Sequence, residues 1–382
     1  MLSKSLTRTA AAMDTSSASL LNMPKRFYQL KRLHVHDAGG RNSLSGIQAT
    51  VFGGSSALGS TIGGSLTRFG SQCIYPYRTS ASMWDNRVKE LKTTADLGYK
   101  SFVRLSDFTN PKEIGFAMKD SNVAISCVGS HVFYKKEKDF EDANIRVPMA
   151  IAQAARDSSH IKRMIYVSAA GADPNSQSKR LRTKWIGEQE VKEIFPDVTI
   201  LRPTYIVNLL HQNPTISAKW GMQMKMFNRM NWQIEGMDAE VQPVFVNDIA
   251  LAMMNCLKME ETIGQSYDLG GPHTYTYQEI YKMFFDITQI KPYTSLVKLE
   301  DAYDMYHLGW YQSFYRQMFR SWLYPEFMTI ENQNLVVDPL NKGFADLHIT
   351  PVSFGTKAHE LVNEVYWLYN NHDSSKRESA NN

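Results

Sequence analysis

The stretch Ala49-Thr50-Val51-Phe52-Gly53-Gly54-Ser55-Ser56-Ala57-Leu58-Gly59 decides the fold. A short apolar and β-branched run enters a glycine turn without a break, and Leu58–Phe69 continues with helical spacing. A strand that feeds a glycine turn and then a helix is the opening unit of a nucleotide-binding βαβ fold. Gly53 permits the tight turn. Small residues through Ala57 let the backbone approach a pyrophosphate, and Gly59 lets the helix pack closely on the strand. Amides at the helix N-terminus then face phosphate oxygens. A packing turn with no ligand is the other reading of the same loop.

The pattern repeats downstream. Ala49–Phe52, Cys73–Tyr77, Phe102–Leu105, Val123–Val128, Met164–Val167 and Val198–Leu201 read as strands. Leu58–Phe69, Pro111–Lys119, Phe140–Arg156 and Arg180–Ile194 read as helices between them. Continuous apolar strands alternating with amphipathic helices argue a parallel sheet buried on both faces. Right-handed crossovers make it a Rossmann-type, doubly wound α/β fold. A smaller C-terminal α/β subdomain and an aromatic-rich helical extension are expected to follow. The expected division is 1–36 as an N-terminal extension, 37–210 as the Rossmann domain, 211–369 as the subdomain with its extension, and 370–382 as a polar tail.

Composition narrows the class. The 382 residues are 43% hydrophobic and 21% charged, which marks a globular chain. A net charge of +4 argues against a nucleic-acid binder, which would cluster bases on one face. Three cysteines, Cys73, Cys127 and Cys256, are too few and scattered for a disulfide framework or a zinc site. His34 and His36 flank Val35 with no nearby acid or cysteine cluster, so no metal is expected. The charge is uneven. Residues 1–36 hold six bases against Asp14, with Ser and Thr crowding the first positions, and the rest of the chain holds 36 bases and 37 acids. Such a basic, acid-poor, Ser-rich leader has the composition of a mitochondrial transit peptide, and a polar tail is the alternative.

The second strand sharpens the ligand. An NAD site usually places an acid about 20 residues beyond the glycine loop. No acid occurs between Gly46 and Trp84, and Arg78 follows the second strand instead. A guanidinium there can pair with a ribose 2′-phosphate, which favours NADP(H). A solvated surface arginine is the plainer reading.

Further motifs carry a family resemblance. The Gly53-x-x-Ser56-x-x-Gly59 loop, Asp107 after the third strand, Tyr166-Val167-Ser168, Arg202-Pro203-Thr204 and Tyr267-Asp268-Leu269-Gly270-Gly271-Pro272 resemble an extended or atypical short-chain dehydrogenase/reductase. Gly39-Gly40-Arg41-Asn42-Ser43-Leu44-Ser45-Gly46, Pro76-Tyr77-Arg78, Asp96-Leu97-Gly98 and Phe140-Glu141-Asp142-Ala143-Asn144 look like the alpha subcomplex subunit 9 family of mitochondrial NADH:ubiquinone oxidoreductase, complex I. That resemblance implies a non-catalytic accessory subunit of the matrix arm, on the matrix side of the inner membrane, with other complex I subunits as partners and NADPH bound. It implies that Gly53, Ser55, Ser56, Ala57 and Leu58 line the pyrophosphate, with Arg78 at the 2′-phosphate and Asp107 at the adenine. Cys127 and Gly129 would lie beside the cofactor, Ser168 and Lys184 at the nicotinamide ribose, and Pro203 and Ile206 near the nicotinamide. Ser56 departs from the family's middle glycine, and Asn208 from the glycine after the sixth strand.

Reductases of this superfamily use a Tyr four residues before the Lys, on one helical face. Here that position is Arg180, and no Tyr lies between Tyr166 and Tyr205. A guanidinium stays charged and cannot exchange the proton, so hydride transfer by this pair is not expected. An enzyme reading, a matrix NADPH-dependent reductase or epimerase, would need a substitute such as His131. A third reading is an NADP-sensing regulator. Asp248 is expected to cap the helix Ile249–Leu257. Met222, Met224, Met226 and Met230 read as core filler or a ligand pocket. The aromatic stretch 303–324, with Arg316 and Arg320, reads as a docking surface, as self-buried, or as a contact with inner-membrane lipid.

Overall fold

The computed structural model describes residues 33, 35, 44–78, 91–92, 99–129, 137–208, 230–234, 238–288, 293–298, 300–301, 326, 329–330 and 332–361. The basic leader, His34, His36, His131, Met222–Met226, the aromatic stretch 303–324 and the tail 370–382 lie outside the described residues.

The first half forms β1 (Gln48–Phe52), α1 (Ala57–Arg68), β2 (Gln72–Arg78), β3 (Lys100–Leu105), α2 (Pro111–Met118), β4 (Val123–Ser126), α3 (Glu137–Glu141), α4 (Val147–Asp157) and β5 (Arg163–Val167). Then come α5 (Lys179–Ile194), β6 (Thr199–Pro203), β7 (Tyr205–Val207), β8 (Met230–Ile234), β9 (Glu240–Val241), β10 (Pro243–Phe245) and α6 (Val246–Lys258). They are followed by β11 (Ser266–Leu269), β12 (Tyr275–Thr276), α7 (Tyr277–Thr288) and β13 (Tyr293–Val297). Seven strands make one parallel sheet in the order β11-β6-β5-β4-β1-β2-β3. The order reverses at the junction of β1 with β4, the switch point beyond whose carboxyl ends open sheets of this kind bind ligands. β7 pairs in parallel with β10.

Helices α1 and α6 pack together on one face, and α4 packs against α2 and α5 on the other. The central strands are sealed between them: β1, β4 and β5 are buried along nearly their whole length. That burial is why their sequences read as continuous apolar runs instead of alternating ones. β4 ends at Ser126, not Val128 as expected. Phe52 accepts the Cys127 amide at 2.9 Å, and β1 then turns away at Gly53, which leaves no ladder partner beyond.

The segment expected as one helix, Phe140–Arg156, is broken by a π turn, Asp142–Arg146. Pro148 supplies the cause. It has no amide to give the carbonyl of Asn144, so the ladder skips a bond. The freed carbonyl accepts the Tyr166 hydroxyl at 3.4 Å and lies against Gly187 of α5, where a Cβ would come within 2.0 Å of it. Helix α6 begins at Val246, so Asp248 stands inside its first turn and does not cap it. Its carboxylate accepts the Val352 amide at 2.9 Å, tying the C-terminal segment to the sheet, and burial raises its pKa. The same segment bonds to β9 through Leu335 and to β11 through Lys342. Among the described residues no helix is long and apolar enough to cross a membrane.

Candidate functional site

Of the candidate cofactor residues, Gly53, Ser55–Leu58, Arg78, Asp107, Cys127, Gly129, Ser168 and Pro203 end or follow strands of the large sheet at its carboxyl edge, Lys184 reaches the ends of β4 and β5 from α5, and Ile206 belongs to the β7–β10 pair. In the middle, Gly53 takes a φ of +79°, a conformation side chains resist. A Cβ there would meet the Cys127 carbonyl at 2.8 Å, and one on Gly59 would meet the Gly53 carbonyl at 2.3 Å. The glycines therefore let strand, loop and helix approach at backbone distance. Ser56 caps α1: its hydroxyl donates to the Gly53 carbonyl at 2.7 Å and accepts the Gly59 amide at 3.0 Å. The residue standing where the family has glycine is thus committed to the helix start, with its side chain turned into the turn. The amides of Ala57 and Leu58 take no protein acceptor among the described residues. They form an open helix N-terminus with the polarity that favours phosphate.

On the β2–β3 side, Arg78 ends β2 opposite Leu105, exposed, with its guanidinium 5.9 Å from the centre of the Phe108 ring. Asp107 lies in the same loop. Its carboxylate accepts the amide and hydroxyl of Thr109, both at 2.7 Å, which hold it below the usual carboxylate range. Glu113 accepts the amides of Ser106 and Asp107 and fixes the loop's course.

On the β4–β5 side, Cys127 and Gly129 follow β4, and burial pushes the Cys127 thiol up to about 12 against the opposing pull of Lys184. The Ser126 and Ser168 hydroxyls are buried at the ends of adjacent strands without a hydrogen-bond partner. Two orphaned hydroxyls beside an open glycine loop are the kind of polar surface a ligand satisfies. Lys184 donates to the carbonyls of Val128 at 3.0 Å and Val167 at 2.9 Å, and its ammonium lies 5.0 Å from the Tyr166 ring centre. Burial, reinforced by the charge of Arg180, lowers its pKa to about 7, while Glu188 and Cys127 oppose the shift. Pro203 is buried at the end of β6, and Ile206 is half-buried in the β7–β10 pair, facing the apolar core. The strip thus runs from Arg78 through Gly53–Leu58 to Lys184 and Ile206. Such a strip can hold an elongated, phosphate-bearing ligand across the crevice. Among the described residues no group of three metal-ligating side chains exists.

Three features escaped the sequence. Ser126 gave no signal beyond its strand. Asn144 belonged to the Phe140–Asn144 motif, and Pro148, one turn later, was the clue that its carbonyl bonds outside the helix, to Tyr166. Glu326 reaches the N-terminus of α5 from 146 residues away, and no spacing rule could connect them.

Comparison with known proteins completes the picture. No protein-family model matches the chain. The mitochondrial NADH dehydrogenase [ubiquinone] 1 alpha subcomplex subunit 9 of Mus musculus is 33% identical over 255 residues, 66% of this chain and 64% of that protein. The Arabidopsis thaliana protein of the same name is 33% identical over 68% of this chain and 62% of its own length. The mitochondrial NADH-ubiquinone oxidoreductase 40 kDa subunit of Neurospora crassa matches at 33% over 65% and 62%. The chain is a homologue of the subunit 9 proteins. It aligns with less than two thirds of the length of these relatives. Among solved structures, the UDP-glucuronic acid 4-epimerase of Bacillus cereus with UDP-glucuronic acid and NAD has a TM-score of 0.62, at 14% identity over 85% of this chain and 100% of that one. The dTDP-glucose 4,6-dehydratase of Bacillus anthracis with NAD has a TM-score of 0.60, at 15% identity over 86% and 98%. At these identities they establish the Rossmann-type fold and nothing finer.

Proposed function

We propose that the chain is a mitochondrial complex I accessory subunit of the matrix arm that holds NADPH as a structural element and does not transfer hydride. The observation that carries this reading is the kinship with subunit 9 proteins across animal, plant and fungal sequences. The residues present fit a nicotinamide dinucleotide. The Gly53–Gly59 turn and the Ala57 and Leu58 amides would take the pyrophosphate, Ser168 and Lys184 the nicotinamide ribose, and the exposed Arg78 the 2′-phosphate. Asp107 would meet the adenine, with Cys127 and Gly129 alongside and Pro203 and Ile206 toward the nicotinamide. When bound, NADPH supplies a hydride in enzymes of this fold. In this chain the proton-exchanging position is Arg180, which stays charged. A ligand that binds only the folded state adds its binding free energy to stability, which suits a structural role.

Two experiments test the reading. Native mass spectrometry of mitochondrial membrane extracts is expected to find the chain within complex I, carrying one NADPH. Recovery only as a free, turnover-competent monomer would overturn it. Arg78→Glu is expected to abolish NADPH retention while sparing the fold, and unchanged retention would remove the 2′-phosphate assignment. A second reading, an NADPH-dependent reductase or epimerase, draws on the enzymes that share the fold and on the retained Lys184. It requires turnover by the isolated chain.

A further inference from the structure

The N-terminus of α5 is occupied by the chain itself. The Ser178 hydroxyl donates to the Glu326 carboxylate, as do the amides of Arg180 at 2.9 Å and Lys179 at 3.3 Å. Nearby, the Ser176 hydroxyl donates to the Gln333 side-chain carbonyl at 3.2 Å, so Gln333 also lies at this helix end. Arg180 is half-buried, and lost hydration lowers its pKa against the attraction of Glu326 and Tyr205. Tyr205 starts β7, just past the end of β6. Lys184 lies one helical turn beyond Arg180, over the ends of β4 and β5. Arg180, Glu326 and Tyr205 therefore gather over the carboxyl ends of β5 and β6, where an open sheet of this topology would admit a substrate.

We propose that Glu326 and Arg180 form a built-in plug: a carboxylate from the C-terminal segment takes the anion seat at the head of α5 and, with Arg180, closes the approach to Lys184. A long helix whose first amides are free attracts an anion from solution. Here that seat is filled from within, so a substrate anion finds neither the donors nor the room. The plug deepens the non-catalytic reading and rests on it. The substrate side of the crevice beside Lys184 is shut by the fold even when the dinucleotide side, from the glycine loop to Ser168, is open.

Accessibility of Lys184 tests the plug without any cofactor. The nucleotide-free full chain is treated briefly with acetic anhydride at pH 8, and acetylation is mapped by peptide mass spectrometry. Exposed Lys112 and Lys138 serve as internal standards, and half-buried Lys100 on β3 as a bystander. In the unaltered chain Lys184 is expected to react at least about tenfold more slowly than the standards, as a group reached only through local opening does. Arg180→Ala and Glu326→Ala are expected to speed it about fivefold or more while Lys100 is unmoved. Removing the Arg180 charge alone would raise the Lys184 pKa and slow the reaction, so acceleration reports access. Should Glu326→Ala fail to fold, Glu326→Gln, which keeps the shape and loses the charge, decides with a smaller increase. Ready labelling of Lys184 in the unaltered chain, or unchanged labelling in folded variants, overturns the plug. NADPH retention, measured separately, tells its failure apart from failure of the dinucleotide reading.

Discussion

Two helices begin at the same edge of the sheet and are built in opposite ways. The head of α1 is made by leaving side chains out: Gly53, Gly54 and Gly59 bring backbone against backbone, and the first amides stay open. The head of α5 is made by putting polar and charged side chains in: Ser178, Glu326 and Arg180 fill it, and Lys184, Glu188 and Arg202 anchor the helix behind it. One is a cradle whose first amides take no protein acceptor among the described residues, and the other is a closed, self-satisfied end. They should fail differently. The first breaks when a methyl group is added, and the second when a charge is removed.

The largest effect is expected at the anchor of α5. Glu188 is fully buried, and its carboxylate takes a bidentate pair of bonds from Arg202 at 3.0 and 2.6 Å, with Asp268 3.6 Å from the same guanidinium. Arg202→Met strands the Glu188 charge in the core and is expected to cost about 3–5 kcal/mol, read from the urea midpoint at unchanged slope. Adding Glu188→Leu is expected to recover most of the loss, because the penalty lies in the orphaned charge. A double variant as unstable as the single would mean that packing, not charge, holds α5.

Next comes the protonation of Lys184. Its amine titrates near 7 in the folded chain against an ordinary 10.5, because burial and Arg180 both disfavour the charged form. Between those values the unfolded chain binds a proton that the folded chain has released, so stability is expected to rise with pH across this window. The gain is lost as pH falls toward 7, where both states carry the proton. Lys184→Met removes that slope. Urea midpoints from pH 6.5 to 9.5 that run parallel for both proteins would contradict the assignment.

The cradle of α1 gives a paired prediction of opposite signs. A Cβ on Gly63 would lie 1.6 Å from the Tyr75 hydroxyl oxygen, whereas one on Gly64 meets nothing within 4 Å. Gly63→Ala is expected to destabilise by about 1–3 kcal/mol through overpacking. Gly64→Ala, at the next residue, is expected to stabilise by about 0.5–1 kcal/mol, since a helical glycine loses more chain entropy than alanine. Tyr75→Phe removes the obstructing oxygen and should partly rescue Gly63→Ala. Thermal unfolding of the four proteins settles the order.

The same contrast explains what could be read in advance. The cradle was legible because it is local: strand, glycine loop and helix follow one another in 20 residues, and each glycine has a steric reason. Six strands of the sheet were legible for the same reason, the central ones as continuous apolar runs, whereas the edge strand β11, Ser266–Leu269, was not, because its burial alternates and Asp268 interrupts it. The plug was not, because Glu326 lies far along the chain and its carboxylate looks like any surface acid. Asn144 was half legible. Its motif was visible, but the consequence of Pro148, a carbonyl that accepts the Tyr166 hydroxyl in place of a helix amide, appears only once the elements are packed. Asp248 misled because an acid at a helix start usually caps it, and here the Val352 amide claims the carboxylate instead.

The smallest expected effect separates the two helix heads most finely. Both are capped by a serine, Ser56 on α1 and Ser178 on α5, each accepting an amide three residues on. At α1 no other side chain among the described residues helps, so Ser56→Ala is expected to cost about 1 kcal/mol. Ser56→Gly is expected to cost only a few tenths of a kcal/mol, since glycine is itself tolerated at a cap. At α5 the Glu326 carboxylate already takes the Lys179 and Arg180 amides. Ser178→Ala also removes the charge-assisted bond from its hydroxyl to Glu326, so it should cost more than Ser56→Ala, and the difference should vanish when Glu326 is also changed to alanine. If the two serines cost the same with Glu326 in place, the carboxylate is not sharing the cap. The distinction between an open and a closed helix end would then lose its energetic basis.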